Sequence, residues 1–327
     1  MLFELVSILI SGVISCKSQQ DLGHITYAAN LPNEDRYVVD SIKGFKLAGV
    51  FDGHGGWQVS EFLKKNLKQY LEDHIQTTEN WAEALNQTFD SLENSLIELA
   101  RGSYKLGFSS VATVGACATV ALVTENKFFV ANTGDCQAIL VTNRTGEVKG
   151  INICQIHSAN NKNEQIKLAK EHPGEDDVVK CRREKACYVK GRLMPTRTFG
   201  DFYLKSQEFN NPDKIPSEYG FKKQRIENFS GPYITHTPDI QVRDVHSDDK
   251  YLILATDGLW DDISEQEAAE IAFMAKSPQE AADLLLDEVL NHAAYERNLQ
   301  RHELEALPFT SKRAYHDDIT VVVIPLK

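Results

Sequence analysis

Short runs of apolar and β-branched residues, separated by polar turns, dominate the chain from residue 24 onwards and predict strands. The first three runs cover residues 24–28, 37–39 and 45–51, and the third ends directly before the sequence Asp52-Gly53-His54-Gly55-Gly56. Apolar residues then recur at a spacing of three to four within residues 59–71 and 81–99. That spacing places them on one face of a helix, so two amphipathic helices are predicted after the glycine turn.

The remainder of the chain continues this combination of strand-like and helical stretches. Further strands are predicted at residues 115–123, 127–132, 137–141, 251–256 and 319–324. Helices are predicted at residues 161–171, 265–275 and 278–294, and a surface loop rich in Pro, Asn and Lys at residues 206–231. Antiparallel runs interrupted by paired helices favour an α+β fold, a four-layer α-β-β-α sandwich of two antiparallel sheets flanked by helices.

Composition narrows the classes of protein to which the chain can belong. Its 327 residues, 42% of them hydrophobic, are enough to bury a large core, and we assign residues 21–327 to one catalytic domain. The formal net charge of −12 argues against a nucleic-acid partner, because binding a phosphate backbone requires a positive surface. We also expect a monomer that does not associate with membranes. The acidic surplus suits a site that supplies several carboxylates to cations.

Residues 1–20 are treated as a separate N-terminal segment. Residues 2–14 are mostly apolar, but they are too few to span a bilayer. The acidic Glu4 does not fit a signal peptide, and the absence of arginine before Arg36 does not fit a mitochondrial presequence. We interpret the segment as amphipathic or buried, or as a misassigned gene start, rather than as a targeting sequence. An intracellular protein is predicted, with the cytoplasm and the mitochondrion left open.

The cysteines show no spacing typical of a zinc or redox motif. No two of the six are separated by two residues, so we expect all of them to be reduced thiols. Three lie in apolar, strand-like runs, where a cysteine is ordinarily a small buried hydrophobic residue. The six are Cys16, Cys117, Cys136, Cys154, Cys181 and Cys187.

Carboxylates recur where predicted strands begin or end. Asp52 and Asp257 directly follow strands, Asp317 comes shortly before one, and the pair Glu34-Asp35 precedes another. Each alone fits a tight or solvated turn as well as a binding site. Hard cations take oxygen ligands from carboxylates and backbone carbonyls, and a glycine lets the backbone approach closely. Together these residues predict a divalent-cation site in which Asp52 and the carbonyl of Gly53 are ligands.

Seven short sequences, in this order along the chain, resemble those of the protein phosphatase 2C, or metal-dependent phosphatase, family. They are Glu34-Asp35, Asp52-Gly53-His54-Gly55-Gly56, Gly115-Ala116-Cys117-Ala118-Thr119, Asn132-Thr133-Gly134-Asp135, Arg197-Thr198-Phe199-Gly200-Asp201, Thr256-Asp257-Gly258-Leu259-Trp260-Asp261 and Asp317-Asp318-Ile319-Thr320. The resemblance covers residues 24–326. Within the family, the chain is similar to the pyruvate dehydrogenase phosphatases at Glu171-His172-Pro173, at residues 193–201, at Pro232-Tyr233-Ile234-Thr235 and at residues 254–260.

The resemblance implies a serine/threonine protein phosphatase with two Mg²⁺ or Mn²⁺ ions and a phosphorylated protein as substrate. Hydrolysis of phosphoserine or phosphothreonine would occur by direct attack of a metal-bridging hydroxide. The implied ligands are Asp52, Asp257 and Asp317 for one ion, and for the other Asp52, the Gly53 carbonyl and, through water, Glu34. His54 is the implied general acid. Asp35 is expected to orient His54 or a neighbouring water.

Two positions depart from the family pattern. Asn30 stands where most members have an arginine for the substrate phosphate. An asparagine at this position also resembles the pyruvate dehydrogenase phosphatases. We therefore expect the metals, more than residue 30, to hold the phosphate. Ser158 stands where the family usually has an aspartate of a weaker third metal site, so that site is in doubt although Asp261 remains as a ligand. His157 or Asn160 is a candidate to replace the aspartate. The alternative function is a catalytically weakened pseudophosphatase that acts as a binding or regulatory module.

Overall fold

Two antiparallel sheets and one hairpin make up the strands of the computed structural model, which describes residues 22–78, 80–182, 186–210 and 226–327. The first sheet has the order β1 (Gly23–Tyr27), β13 (Ile319–Pro325), β12 (Asp249–Ala255), β6 (Gln137–Thr142) and β7 (Lys149–Asn152). The second sheet has the order β11 (Asp239–Asp244), β5 (Lys127–Thr133), β4 (Gly115–Val123), β3 (Phe45–His54) and β2 (Arg36–Ile42), and the short β10 (Phe199–Gly200) also pairs with β4. The hairpin consists of β8 (Val179–Cys181) and β9 (Cys187–Val189).

The helices lie mainly in two pairs. They are α1 (Gln58–His74), α2 (Trp81–Lys105), α3 (Lys162–Glu171), α4 (Phe202–Lys205), α5 (Asp257–Trp260), α6 (Glu265–Met274), α7 (Pro278–Glu296), α8 (Arg301–Glu305) and α9 (Phe309–Lys312). Helices α2, α6 and α7 begin at the capping residues Asn80, Ser264 and Ser277. The side chain of each capping residue accepts a hydrogen bond from a backbone N–H group of the first turn. Among the described residues, no helix is both long and apolar enough to cross a membrane.

Three layers of apolar side chains hold the sandwich together. Helices α1 and α2 pack on the second sheet, α6 and α7 pack on the first, and a third cluster fills the space between the sheets. Strand β4 is buried along its whole length: Val120 and Leu122 face the helices, whereas Cys117 and Ala121 face the other sheet. Two-sided burial explains why its sequence is continuously apolar. The predicted four-layer α+β fold is confirmed.

Several elements differ from those predicted. Helix α2 extends to Lys105 rather than residue 99, and β11 and the short helices α4, α5, α8 and α9 were not predicted. The surface loop predicted at residues 206–231 lies mostly outside the described residues. Its described beginning is a 3-10 turn, Gln207–Phe209, whose Phe209 is buried in the core and stacks near Tyr104 and Phe202. The N-terminal segment of residues 1–20 also lies outside them.

The expectation that every cysteine is a reduced thiol is wrong for one pair. Strands β8 and β9 are antiparallel with Cys181 directly opposite Cys187, and the two form a disulfide. The two cysteines are six residues apart, a separation that matches no short cysteine motif. It is the register of the two strands that brings their thiols together. Cys117 and Cys136 are free and buried, as the prediction of small hydrophobic residues requires. Cys16 lies outside the described residues.

A buried ion pair ties α2 to the segment that follows β10. The Lys205 ammonium donates to Glu93 and also to the carbonyl of Thr198 at 2.6 Å, and the other Glu93 oxygen accepts from the Gly200 N–H at 3.0 Å. Less than a tenth of either charged side chain is exposed. The pair therefore holds residues 198–205 in place against the helix layer.

Replacing Lys205 by methionine should destabilise the protein substantially. The variant Lys205→Met leaves the Glu93 carboxylate buried without its cation, so the free energy of unfolding should fall by about 3 kcal/mol. Urea unfolding followed by circular dichroism measures the change. Arg297→Met, which removes a half-exposed partner of Glu296, is the matched control and should cost less than about 1 kcal/mol. Equal losses in the two variants would contradict the assigned importance of the buried pair.

Candidate metal centre

The ends of strands from both sheets meet at one edge of the sandwich. Strands β12 and β13 are antiparallel, with Ala255 opposite Val321, so the residues that follow β12 and those that precede β13 lie side by side. In the second sheet, His54 at the end of β3 is opposite Gly115 at the start of β4. The topology therefore gathers carboxylates that are far apart in the sequence.

Three aspartates form the centre of this edge. Carboxylate oxygens of Asp52, Asp135 and Asp257 all lie within 4.8 Å of one another. Burial, and then repulsion from neighbouring carboxylates, raises the pKa of Asp52 and of Asp257 well above the usual aspartate range. Like charges held this close repel each other, so the arrangement is stabilised by protons or by cations.

Asp135 is a member of this cluster that the sequence analysis did not assign to the site. It follows β5 in the sequence Asn132-Thr133-Gly134-Asp135, the same strand-end position that singled out Asp52. Burial raises its pKa as well. The signal was present in the sequence, but only the packing of the two sheets places this carboxylate beside Asp52 and Asp257.

Asp317 and Asp261 lie around this centre. The Asp317 carboxylate forms an ion pair with Arg313, and its other oxygen accepts from the Asp318 N–H at 2.7 Å. Burial raises the pKa of Asp317 despite this guanidinium. Partial burial, followed by repulsion from Asp135, raises the pKa of Asp261, which directly follows α5. Both predicted ligands therefore lie within electrostatic reach of the cluster.

Asp318, next to Asp317, has a structural role in the loop that carries Glu34. Its two buried oxygens accept from the backbone N–H groups of Ala29, Asn30 and Glu34, at 2.6, 2.9 and 2.8 Å, and from Asn30 Nδ2 at 3.0 Å. The Asn30 amide is thus engaged with Asp318. A side chain on Gly53 would lie 2.5 Å from the Glu34 carbonyl, so this close approach requires a glycine.

Asp35 and His54 have different partners. The buried Asp35 accepts from the Thr256 hydroxyl at 2.8 Å, and burial raises its pKa to about 8. His54 Nε2 instead lies 2.6 Å from the carboxylate of Asp201. Burial acts to lower the pKa of His54, but the Asp201 carboxylate outweighs it and the pKa is raised. The carboxylate in contact with His54 is therefore not Asp35.

Ser158 and its neighbours form hydrogen bonds with backbone groups. His157 Nδ1 accepts from the Gly134 N–H at 3.3 Å, and burial lowers the pKa of this imidazole to about 3. Ser158 Oγ accepts from the Asn160 N–H, and the Asn160 side chain accepts from the Cys187 N–H at 2.9 Å. The carboxylate that joins Asp52 and Asp257 is Asp135, so a serine at position 158 does not remove a member of the cluster.

The donor set fits a hard divalent cation. Oxygens from the carboxylates of Asp52, Asp135 and Asp257 converge at this strand-end edge, and such oxygen-only sites suit Mg²⁺ and Mn²⁺. The raised pKa values of Asp52 and Asp257 also fit a cation site, because a cation at this position would relieve the repulsion between the carboxylates that contributes to them.

Comparison with known proteins identifies a family whose members are similar to this chain in sequence. The family described as Protein phosphatase 2C matches residues 14–297. A probable protein phosphatase 2C 67 from Arabidopsis thaliana is 29% identical over 99% of this chain and 83% of its own length. A probable protein phosphatase 2C 48 from the same plant is 32% identical over 84% of this chain and 71% of its own length. The chain belongs to the protein phosphatase 2C family. It is a metal-dependent serine/threonine protein phosphatase that acts on phosphorylated proteins.

Solved structures show the same fold as this phosphatase. The serine-threonine phosphatase 2C of Toxoplasma gondii superimposes with a TM-score of 0.64 at 17% identity and covers 94% of both chains. A sex-determining protein of C. elegans gives a TM-score of 0.67 at 16% identity, over 94% of this chain and 64% of its own. The two-sheet architecture is therefore shared by proteins whose sequences have diverged widely.

The carboxylate cluster predicts how pH and metal change the stability of this phosphatase. Because the pKa values of the buried carboxylates are raised, the folded protein binds more protons than the unfolded chain over a range of pH. For Asp35 this range extends from pH 3.8, the ordinary aspartate pKa, to about pH 8. Without metal, the contribution of these groups to stability should therefore increase as the pH falls from about 8 to about 5. Thermal unfolding in a chelator measures this dependence. Asp52→Asn should make it shallower.

Adding Mn²⁺ should raise the melting temperature of the wild-type protein, and more at pH 7.5 than at pH 5.5, because protons compete for the same oxygens. The shift should be smaller for Asp52→Asn. A wild-type melting temperature that is insensitive to Mn²⁺ at both pH values would contradict the assignment of the cluster as a metal centre.

Proposed function

We propose that this phosphatase hydrolyses phosphoserine and phosphothreonine at the Asp52–Asp135–Asp257 cluster by direct attack of hydroxide on phosphorus. The observation that carries this proposal is the approach of three carboxylates within 4.8 Å at a strand-end edge. No protein nucleophile is required. Burial raises the pKa of the nearby thiols of Cys117 and Cys136 well above the usual range, which makes them poor nucleophiles.

Two Mg²⁺ or Mn²⁺ ions are proposed at this site. Asp52, Asp257 and Asp317 would hold one ion, and Asp52, the Gly53 carbonyl and, through water, Glu34 would hold the other. When bound, the two ions lower the pKa of a shared water and so make hydroxide available near neutral pH. The hydrogen bonds that Asp318 accepts from the 29–34 loop support the position of Glu34.

A third, weaker cation site is proposed at Asp135 and Asp261. Repulsion from Asp135 contributes to the raised pKa of Asp261, which supports the closeness of these two carboxylates. Ser158 supplies no carboxylate to this site, and its hydroxyl accepts a hydrogen bond from the Asn160 N–H. This proposal replaces His157 and Asn160 as candidate ligands.

His54 is proposed as the general acid. As the phosphorus–oxygen bond breaks, the electron pair stays on the seryl or threonyl oxygen, which takes a proton from the imidazolium. The raised pKa of His54 supports this role, because it increases the protonated fraction near neutral pH. Asp35 was expected to orient His54 or a water; because it bonds to Thr256 while His54 lies against Asp201, only the role of orienting a water is kept in this proposal.

The identity of the physiological substrate stays a prediction. Similarity to the pyruvate dehydrogenase phosphatases is not supported by the relatives, which are probable protein phosphatases 2C whose names state no substrate. The engagement of Asn30 with Asp318 supports the proposal that cations, rather than residue 30, hold the phosphate. A monomeric state and the absence of nucleic-acid and membrane partners likewise stay predictions. The pseudophosphatase alternative is not favoured, since the matching family and the relatives are protein phosphatases 2C.

Metal-dependent turnover is the direct test of this proposal. The purified protein should hydrolyse p-nitrophenyl phosphate and a phosphothreonine peptide with Mn²⁺ and lose both activities in a chelator. Asp257→Asn removes a ligand, so kcat/KM should fall by about 100-fold or more while the circular dichroism spectrum is unchanged. Colorimetric phosphate release measures both substrates.

Asp262→Asn is the matched control, because Asp262 also follows α5 but lies outside the three-carboxylate cluster. It should keep kcat/KM within about threefold of the wild-type value. Folded wild-type protein without Mn²⁺-dependent turnover would favour the pseudophosphatase alternative.

A further inference from the structure

A buried carboxylate that is not among the proposed metal ligands lies beside His54. Asp201 is 1% exposed, and its Oδ2 lies 2.6 Å from His54 Nε2. The same oxygen accepts a hydrogen bond from the Thr198 hydroxyl at 2.9 Å. The carboxylate is therefore held from two sides.

The backbone around Asp201 is shaped to deliver this carboxylate. Asp201 follows β10 directly and adopts the left-handed conformation, with φ 49° and ψ 39°, which few residues other than glycine, asparagine and aspartate adopt. Its N–H donates to the Val114 carbonyl at 3.0 Å. The preceding Gly200 is also left-handed, and its N–H is held by Glu93. Two successive left-handed residues, each anchored by a hydrogen bond, turn the side chain of residue 201 towards the end of β3.

Gly115 provides the space for this contact. It lies opposite His54 in the pairing of β3 with β4 and opposite Gly200 in the pairing of β10 with β4. A Cβ atom at position 115 would be 1.9 Å from Asp201 Oδ2 and 2.5 Å from His54 Nε2. The contact between the imidazole and the carboxylate therefore requires glycine at this point of β4.

We propose that Asp201 is a positioning residue for the general acid His54. This inference rests on the proposed function of His54. By accepting from Nε2–H, Asp201 orients the ring and keeps that proton on Nε2, so that Nδ1 is the nitrogen that gives its proton to the leaving oxygen. In the reaction, the bond between phosphorus and the seryl oxygen breaks, that oxygen keeps the electron pair and takes the Nδ1 proton, and Nε2–H stays bonded to Asp201.

The leaving group of the substrate distinguishes this role from a structural one. p-Nitrophenolate leaves readily without a proton, whereas phenolate and alkoxides depend on one. Asp201→Asn is nearly isosteric, and asparagine tolerates the left-handed conformation. With Mn²⁺-loaded full chain, it should lower kcat for phenyl phosphate by about 10- to 100-fold but for p-nitrophenyl phosphate by less than about threefold. His54→Gln should show the same selectivity.

A second histidine–carboxylate pair in the molecule supplies the matched control. His236 Nε2 lies 2.8 Å from Asp90 Oδ1, in a more exposed position. Asp90→Asn should leave the ratio of the two kcat values unchanged. In the double variant of His54→Gln and Asp201→Asn, the loss should equal that of His54→Gln alone, because the two residues act as one unit.

The outcomes separate this inference from the function on which it rests. Equal losses of both substrates in Asp201→Asn, or additive losses in the double variant, overturn it and leave Asp201 a structural residue. A wild-type chain without Mn²⁺-dependent turnover overturns the proposed function and this inference together. Leaving-group-selective loss in His54→Gln with wild-type rates in Asp201→Asn overturns this inference only.

Should Asp201→Asn fail to fold, nuclear magnetic resonance of ¹⁵N-histidine in the wild-type chain decides the question. The neutral His54 ring, identified by the signals lost in His54→Gln, should carry its proton on Nε2. A proton on Nδ1 overturns the inference.

Discussion

Repulsion among buried carboxylates is the constraint around which the active edge of this phosphatase is organised. Asp52, Asp135 and Asp257 come from different strand ends, and burial raises the pKa of each, with neighbouring carboxylates adding to the rise for Asp52 and Asp257. Such a cluster opposes folding unless something else holds its members in place. Here the two packed sheets do so, since the apolar core between them determines where the strands end.

The surroundings of the cluster show how local interactions keep the repelling groups in position. Asp318 organises the loop that carries Glu34 through three backbone N–H groups, and Gly53 allows that loop to approach β3. On the opposite side, the Lys205–Glu93 pair fixes the segment that ends in Asp201. Asp318, Lys205 and Glu93 contribute no proposed ligand, but they support the loop that carries Glu34 and the segment that carries Asp201.

Much of the fold follows from local patterns. The continuously apolar β4 and the three-to-four spacing in α1 and α2 could be identified without tertiary information, because a strand buried on both faces and a helix buried on one have distinct periodicities. Strand β11 was missed because it is a polar, half-exposed edge strand whose structure comes from pairing with β5. The disulfide was missed for a similar reason, since register in the β8–β9 hairpin pairs its cysteines.

The sequence by itself determined the class of fold, and its seven short motifs in the order of the protein phosphatase 2C family indicated the kind of chemistry. Tertiary structure alone decided which groups meet. It joined Asp135 to the predicted ligands, engaged His157 with the Gly134 backbone, and placed Asp201 against His54 across 147 positions of sequence. Hydrogen bonds and repulsion act over a few ångströms, and only the packing of the two sheets determines which distant residues come that close.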